Sequence, residues 1–443
     1  MLDYAHASRT FRQRDAREFM ELTMSSAPTT KTLGIIGAGI IGVQLARALQ
    51  RDGADVCLFD CNDPGMATSF GNAGYLATDE IFPLAHGTVL RRLPRMLLNP
   101  LGPLAMRWQE LPRLLPWYLK YARACSSKRA NHSIAALASL QNQAVEAWKD
   151  VIRAEGLQRL ILENGAMTVF ETDQGFETTR AQRNVQSDYG ISWRLLSGAA
   201  ARDKVPELSE RVRHAVVYPS GMHVVNPLQV TQTLFNKFLG DGGRFVKAKV
   251  DGIDRSSNRA TSITAAGKRY AFDAIVVSSG HLSGRLLKKL NYRVPIVAER
   301  GYHVEMSHRE TRLNLPVGSY ERGFYVTPMN SGLRLAGTSE FSSADHDEPA
   351  TWARADILKR HVGELMPGLA EQETGRWMGH RPTMPDFLPV LGAAPHCANL
   401  YLAFGHHHLG LTLSAITART MCALIMRSNT NVNIAPFSLE RFQ

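Results

Sequence analysis

The sequence predicts a mixed α/β fold (an α+β composite) in which a domain with a parallel sheet is interleaved with a second domain built on an antiparallel sheet. Three observations predict it. The chain has 443 residues, more than one ordinary hydrophobic core accommodates. Residues 32–60 have the pattern of a strand, a helix and a second strand, the unit from which parallel sheets are built. Residues 292–340 instead contain short alternating strands, as antiparallel sheets do.

The first strand–helix–strand unit contains a glycine turn of the kind that binds a dinucleotide. The apolar strand Thr32–Ile36 leads into Gly37-Ala38-Gly39-Ile40-Ile41-Gly42, which opens a helix. Gly37 permits the tight turn, Gly39 lets the backbone approach a pyrophosphate, and Gly42 lets the helix pack closely on the strand. Asp60 ends the next strand, where its carboxylate can accept a hydrogen bond from a ribose hydroxyl. An acid there, with no arginine nearby, argues against NADP.

A second loop of small residues, Ser69-Phe-Gly71-Asn72-Ala73-Gly74, favours FAD over NAD. Such a loop suits the ribityl and isoalloxazine portions of FAD, which need a close approach of the backbone. Taken alone, the loop could equally be a surface turn. The apolar strand that begins at Phe272 ends in a small-residue turn at Gly280, which is a further candidate cofactor contact.

Two motifs near the C-terminal end carry groups suited to anions. Arg381 precedes a proline, and its guanidinium can hold a carboxylate through two charge-assisted hydrogen bonds. An interdomain salt bridge is the alternative for Arg381. The second motif opens the last helix, so its N–H groups and the helix dipole favour an anion such as the pyrimidine edge of a reduced flavin. The residues of this motif assigned to the cofactor are Gly405, His406, Leu409, Gly410, Leu411 and Thr412.

A metal site at the histidine run His406–His408 is not expected. Adjacent side chains point in different directions, and no carboxylate lies at ligand spacing. The five cysteines form no CxxC pair, which favours reduced thiols and a cytoplasmic protein. The sequence contains no run of eighteen or more apolar residues, so it predicts no transmembrane helix.

The net charge of +11 is concentrated between Arg91 and Arg129. This stretch carries nine Lys or Arg residues against one acid, Glu110, and it also contains leucines and tryptophans. Basic residues beside such side chains are typical of an element that lies on a membrane surface. The alternative is a set of helices that pack on a core and expose a basic face. Both interpretations stay open at this point.

The segments divide into two interleaved domains. We expect residues 1–30 to be a disordered extension, with Met24 as the real start. The FAD-binding domain, of Rossmann type, is assigned to residues 31–80, 225–290 and 376–436. The substrate domain is assigned to residues 81–224 and 291–375, with an antiparallel sheet.

The motifs together resemble the D-amino-acid oxidase and dehydrogenase superfamily, and most closely its bacterial D-amino-acid dehydrogenase branch. The likeness rests on GAGIIG, SFGNAG, VVSSG, the Gly301-Tyr302 segment, GHRPTMPDFLPVLG and GHHHLGLT, which span residues 32 to about 426. It implies non-covalent FAD, with Val250 near the flavin, and a substrate carboxylate bound by Arg381. It also implies hydride transfer from the substrate Cα to the flavin, followed by hydrolysis of the imine. The residues expected to act in catalysis or line the pocket are Tyr302, His303, Tyr320, Tyr325 and His408.

The resemblance leaves the substrate and the electron acceptor open. D-amino acids in general, D-proline or D-hydroxyproline, and N-methyl amino acids all fit, and a quinone or an electron-transfer protein is preferred to oxygen as the acceptor. The run His406–His407 departs from the branch, which more often has a small residue there, and could restrict the pocket or the access of oxygen. Two rivals are a tRNA-modifying flavoprotein, which the basic charge favours only weakly, and a non-catalytic FAD subunit of a larger amine dehydrogenase. No nucleic-acid partner is expected, and residues 91–129 suggest peripheral contact with the inner membrane.

Overall fold

The computed structural model describes residues 31–85, 102, 104–308, 311–342 and 349–443. Two sets of residues for which the sequence makes predictions lie outside the described residues: the extension 1–30, and residues 91–101 at the start of the basic stretch. The described part contains two large sheets, two small ones and ten α-helices.

The strands are, in chain order, β1 (Thr32–Ile36), β2 (Asp55–Asp60), β3 (Tyr75–Leu76), β4 (Leu104–Met106), β5 (Ile161–Leu162), β6 (Ala166–Phe170), β7 (Arg194–Ser197), β8 (His214–Tyr218), β9 (Met222–Val224), β10 (Arg244–Lys247), β11 (Val250–Ser256), β12 (Arg259–Ala265), β13 (Lys268–Ala271), β14 (Ala274–Val277), β15 (Val297–His308), β16 (Val317–Ser319), β17 (Phe324–Met329), β18 (Gly332–Ser342), β19 (Ala370–Thr383), β20 (Val390–Ala394) and β21 (Cys397–Phe404). The α-helices are α1 (Ile40–Arg51), α2 (Leu111–Ala124), α3 (Ser127–Glu155), α4 (Asp173–Thr178), α5 (Arg180–Asp188), α6 (Gly198–Lys204), α7 (Pro227–Gly240), α8 (Ser283–Lys288), α9 (Ala353–Leu365) and α10 (Gly410–Ile425).

The first large sheet has six strands in the order β10-β2-β1-β14-β21-β20. All neighbours are parallel except the edge pair β20–β21, which is antiparallel. Strands β1 and β14 are nearly continuous runs of buried Val, Ile and Leu, because helices and a small sheet cover both faces. The carboxyl ends of these parallel strands, which carry the predicted glycine turn and Asp60, meet at one edge of the sheet.

The second large sheet has nine strands and is mostly antiparallel, in the order β19-β15-β18-β17-β16-β6-β8-β7, with β4 beside β18. The predicted antiparallel sheet is therefore present, but its strands are longer than the sequence indicated. Residues Val297–His308 form one strand of 12 residues, β15, where the sequence predicts shorter strands. The predicted domain boundary at residue 376 falls inside β19, so the residues up to Thr383 belong to this sheet.

The helices that flank the parallel sheet come from both predicted domains. Helix α1 packs against α7 and α10, and α10 also packs against α3, which lies in the segment assigned to the substrate domain. Trp148 of α3 donates a hydrogen bond from Nε1 to the backbone oxygen of Thr412, 3.0 Å away. The stretch His407–Ile425 has the length and apolar composition of a membrane span, but 72% of that window is buried inside the protein.

Candidate active site

One cavity of about 840 Å³ is lined by residues from both large sheets. It opens at the carboxyl ends of β1, β2, β14 and β21, where ligands bind in open α/β sheets. Its size is near the upper end of the range for small-molecule sites. The predicted site residues that line it are Gly37, Gly39, Ile40, Ile41, Asp60, Ser69, Asn72, Ala73, Val250, Gly280, Tyr302, Tyr325, Arg381, Gly405, His406, His408, Gly410 and Leu411.

Five residues predicted to bind the cofactor lie behind the cavity wall. They are Ala38, Gly42, Gly74, Leu409 and Thr412. Ala38 donates its backbone N–H to Asp60, and the Thr412 hydroxyl accepts a hydrogen bond from the N–H of Ala77. Gly42 and Gly74 lie against backbone oxygens with no space for a Cβ, and Leu409 is buried in the core. These residues support the turn and the loop from behind, and their direct contact with the cofactor stays a prediction.

The glycine turn has the geometry that a pyrophosphate requires. Helix α1 begins after Gly39, and the N–H of Ile40 at its first turn donates to the hydroxyl of Ser69, 3.0 Å away. Gly37 has a φ of 112°, and a Cβ on it would lie 2.5 Å from the Ser278 oxygen. Backbone N–H groups at the N-terminus of a helix favour an anion, so this end of the cavity fits the phosphates of a dinucleotide.

The loop Ser69–Gly74 is fixed by a buried arginine from the second sheet. Arg334 donates from Nη1 to the backbone oxygens of Phe70 (3.0 Å) and Asn72 (2.7 Å), while Glu305 pairs with its opposite edge. Trp377 fills the space that a side chain at Gly71 would need, since a Cβ there would lie 1.9 Å from the indole. Side chains of the second sheet therefore hold, at the cavity, the loop that follows β2 of the first sheet.

His303 does not line the cavity, contrary to expectation. Its ring stacks on Trp377 with a centroid distance of 5.2 Å, and burial next to Arg334 lowers its pKa to about 3. Tyr302 lies at the cavity wall, but its ring belongs to the core of the antiparallel sheet and its hydroxyl accepts a hydrogen bond from the N–H of Thr351. The Tyr302 hydroxyl therefore takes part in the packing of this sheet, and its catalytic role stays a prediction. Tyr320 lines the cavity as expected.

Of the three histidines of the C-terminal turn, His406 and His407 are buried and His408 is half-buried, and their lowered pKa values make all three neutral. Burial lowers the pKa of His406 to about 3 and that of His408 to about 4; for His408, Glu299 opposes the shift and Arg381 adds to it. His406 is hydrogen-bonded to Thr417, and His407 to His408. His407 has a φ of 40°, a strained conformation for a residue other than glycine. The described residues contain no group of three or more His, Cys, Asp or Glu that could hold a metal ion.

Arg381 is held by a buried carboxylate that sequence reasoning missed. Its Nη1 donates to Glu299 Oε1 at 2.8 Å and to Ser339 Oγ at 2.9 Å. Burial favours the neutral acid, but Arg381, with hydrogen bonds from Ser339 and Thr383 and the nearby His408, holds the pKa of Glu299 below its ordinary value. The pair comes from neighbouring strands of one sheet, so Arg381 forms a salt bridge within that sheet rather than the interdomain one named as its alternative, and it also lines the cavity.

A pair of adjacent carboxyl groups, Asp79 and Glu80, lies on the cavity wall and was also missed. Tyr75 donates its hydroxyl hydrogen bond to Asp79, and Tyr325 is hydrogen-bonded to Glu80. The backbone that carries both acids is held by Gln141 and Gln186. Burial raises the pKa of Asp79 to about 6 and, together with the adjacent Asp79, that of Glu80 to about 8.

The raised pKa of Glu80 predicts a specific dependence of stability on pH. Because its pKa in the folded state lies above the unfolded value, the group stabilises the fold most below about pH 4.5, and that contribution is lost as pH rises to about 8. Glu80→Gln should therefore reduce the loss of stability between pH 5 and pH 8 by about 2–4 kcal/mol. Melting temperatures of holoenzyme at the two pH values measure this. Glu146→Gln, at a largely exposed side chain, is the control, and equal pH responses of Glu80→Gln and the wild type would refute the prediction.

Helix α2 forms an aromatic wall that the sequence did not assign to the site. Trp117, Tyr118 and Tyr121 line the cavity, and the rings of Trp117 and Tyr121 are stacked at 5.4 Å. The opposite face of the helix exposes Leu115 and Leu119. The described part of the basic stretch thus both packs on a core and exposes apolar side chains beside basic ones.

These features define a class of protein: a dinucleotide-binding enzyme whose cavity joins a phosphate-binding turn to a guanidinium on a second sheet. The chain belongs to the family of FAD-dependent oxidoreductases called DAO, whose profile matches residues 33–424. The enzyme uses FAD, and the glycine turn, Asp60 and the loop Ser69–Gly74 are the residues that would hold it.

Similar proteins that align over nearly their whole length are found among bacterial enzymes. The D-amino-acid oxidase of Bradyrhizobium diazoefficiens is 33% identical and covers 94% of this chain and 100% of its own length. D-amino acid dehydrogenase 2 of Ralstonia nicotianae is 28% identical over 92% of this chain and 99% of its own. The crystal structure of glycine oxidase from Geobacillus kaustophilus has a TM-score of 0.74 at 21% identity, covering 94% of this chain and all of its own, and therefore shares the fold.

Proposed function

We propose that this chain catalyses the FAD-dependent oxidative deamination of a small D-amino acid. The observation that carries the proposal is that Arg381, a group suited to a substrate carboxylate, lines the same buried cavity as the glycine turn and the turn at Gly405–Gly410. The names of the similar proteins from Bradyrhizobium and Ralstonia support the same reaction class.

The residues of the chain contribute mainly orientation. FAD, held by the glycine turn, Asp60 and the loop Ser69–Gly74, would supply the acceptor for the hydride of the substrate Cα–H bond. Arg381 binds the substrate carboxylate and so fixes the direction of the Cα–H bond, and such positioning supplies much of the rate enhancement. The aromatic wall of α2 and the half-buried Tyr325 limit the access of water. The imine product is hydrolysed to a 2-oxo acid, or stays a cyclic imine when the substrate is D-proline or D-hydroxyproline.

We further propose that the electrons pass to a quinone or an electron-transfer protein rather than to oxygen. The described part of the basic stretch supports a cytoplasmic enzyme peripheral to the inner membrane, because α2 exposes Leu115 and Leu119 beside Lys120 and Arg123 while its other face lines the cavity. Such a helix would bring a membrane-soluble acceptor close to the cofactor.

An anaerobic titration tests the proposal. Purified holoenzyme is mixed with D-alanine, D-leucine, D-proline, D-hydroxyproline and sarcosine in turn, and bleaching of the oxidised flavin band is recorded. We expect at least one D-amino acid to reduce the flavin, and the reduced enzyme to react faster with a ubiquinone analogue in anionic vesicles than with air. The control is the L-enantiomer of each chiral compound.

The same titration separates the rival functions. Arg381→Met/Glu299→Gln should keep FAD and lose reduction by the D-amino acid, judged against Glu299→Gln alone. The double variant is preferred because Arg381→Met by itself leaves a buried carboxylate without its cation, which costs about 3–5 kcal/mol. If no amino acid bleaches the flavin, the proposal fails. Salt-dependent binding of tRNA would then favour the tRNA-modifying alternative, and its absence the non-catalytic subunit.

A further inference from the structure

We propose that Glu299 is a positioning residue for this reaction: it holds the Arg381 guanidinium in the orientation that receives the substrate carboxylate, and its negative charge weakens the binding of that carboxylate. The inference rests on the proposed function, since it takes Arg381 as the carboxylate-binding group.

The geometry around Glu299 fixes one side of the guanidinium. Only 2% of the Glu299 side chain is exposed, and its Oε1 accepts hydrogen bonds from Arg381 Nη1 (2.8 Å) and Ser339 Oγ (2.7 Å). Its Oε2 accepts a hydrogen bond from Thr383 Oγ1 at 2.9 Å. Three donors on three sides leave the carboxylate little freedom to turn, so the position of Nη1 is set by a rigid acceptor rather than by solvent.

The bonding pattern leaves the other edge of Arg381 for a ligand. Within the described residues, the hydrogen bonds of Arg381 all leave from Nη1, to Glu299, Ser339 and the Thr338 oxygen. The Nε and Nη2 groups therefore retain the pair of parallel donors that binds a carboxylate in bidentate fashion. The Arg381 guanidinium lies directly against Gly301: a Cβ on that glycine would lie 2.4 Å from both Arg381 Cζ and Nη2.

The charge on Glu299 acts on the same ligand in the opposite sense. A substrate carboxylate on the free edge of Arg381 brings a second negative charge close to Glu299 in a poorly solvated site, where repulsion is much stronger than in water. The ion pair with Glu299 thus reduces the affinity of Arg381 for anions while it improves orientation. Removal of the charge should separate these two effects.

Glu299→Gln is expected to tighten binding and slow the reaction. The amide is isosteric and keeps an acceptor for Nη1, but it loses the charge and cannot accept from all three donors. We expect isobutyrate, which has the carboxylate but no amine, to bind the holoenzyme variant at least about threefold more tightly. We expect the limiting rate of flavin reduction by D-alanine to fall about tenfold or more, because the guanidinium is less well held.

Glu299→Asp separates charge from position. It keeps the negative charge but is one methylene too short for the same contacts, so we expect the reduction rate to fall without any gain in isobutyrate affinity. FAD content and melting temperature are measured for each variant. Weaker isobutyrate binding together with slower reduction in Glu299→Gln would indicate a purely structural role and overturn the inference, as would no change in either quantity.

The double variant with Arg381→Met completes the test. If Glu299 acts through Arg381, Arg381→Met/Glu299→Gln should show no specific binding of isobutyrate. The gain in isobutyrate affinity that Glu299→Gln causes in the presence of Arg381 should then be absent when Arg381 is replaced by Met. An undiminished gain would overturn the inference. These binding measurements do not need turnover: a wild type that no amino acid in the panel reduces refutes the proposed function, whereas a reducible wild type with the wrong response to Glu299→Gln refutes only this inference.

Discussion

Gly42→Ala is expected to yield a protein that retains little or no FAD. A Cβ at this position would lie 1.8 Å from the backbone oxygen of Gly37 and 2.8 Å from Ser278 Oγ. Ser278 itself donates to the oxygens of Ile36 and Gly37, so neither contact is with the free end of a flexible side chain. Helix α1 must then move away from the turn, and with it the N–H groups at its N-terminus that would hold the phosphates of FAD. Overpacking of this kind costs about 1–3 kcal/mol or more, equivalent to a loss of FAD affinity of about 5- to 150-fold.

The measurement is the FAD-to-protein ratio after gel filtration, followed by titration of the apoprotein with FAD. Gly240→Ala is the matched control, because nothing lies within 4 Å of a Cβ placed there and its backbone has no positive φ. Circular dichroism shows whether the variant is folded. A folded Gly42→Ala protein with a full complement of FAD would contradict the role of this glycine in the close approach of helix and strand.

Gly42 belongs to the part of the site that the sequence alone predicts, the strand–helix–strand unit with its glycine turn. Strand β1, the glycine turn, α1 and β2 lie within residues 32–60, so each local signal restrains the next. Periodicity places the helix, glycines place the turn, and the acid at the end of β2 completes the pattern. The start of α10 after a glycine turn was predictable for the same reason, and the helix indeed begins at Gly410. Local order along the chain is enough for these elements.

The remaining parts of the site depend on contacts between distant segments. Glu299 meets Arg381 across 82 residues of sequence, and Arg334 reaches the loop at Phe70 across 264. A lone glutamate in a strand has no local pattern that distinguishes it from a surface residue. One signal was available: a buried antiparallel strand that carries Glu299 and Arg300 among apolar residues implies partners for both. It indicates that partners exist but not which residues they are.

The domain boundaries show the same limit. Strand β19 is continuous from Ala370 to Thr383 because its neighbour β15 pairs with it over that length. The sequence alone gives no sign of this pairing, so the boundary predicted at residue 376 falls inside the strand. Helix α3 was assigned with its chain neighbours to the substrate domain, but its apolar face packs on α10 in the other core. In both cases contacts with residues far away in the sequence, and not the local sequence pattern, determine which sheet or core the segment belongs to.

Gly301→Ala is expected to lower the rate of flavin reduction by a D-amino acid about 100-fold while FAD stays bound. The Arg381 guanidinium lies where the new methyl group would be, 2.4 Å from its Cζ and Nη2. The side chain must therefore lift away from β15, which breaks its contact with Glu299 and moves the substrate carboxylate. A displacement of about 1 Å in a positioning group can cost about 10²-fold in rate. Gly301 lies beside a register shift in β15 but has no positive φ, so alanine adds no left-handed backbone strain and the effect reports on the guanidinium.

The control for this substitution lies on the neighbouring strand. Gly375→Ala introduces a Cβ whose nearest neighbour, in the Glu305 side chain, is 3.9 Å away, so its reduction rate should match the wild type within about twofold. Stopped-flow reduction by D-alanine under anaerobic conditions gives both rates. If Gly301→Ala reduces the flavin as fast as Gly375→Ala, then the guanidinium is not held over β15 during the reaction, and Arg381 cannot be the group that orients the substrate. If Gly301→Ala is slow but holds its full complement of FAD, the glycine turn that binds the cofactor is intact. The lower reduction rate is then due to the displaced Arg381 guanidinium, which binds the substrate carboxylate.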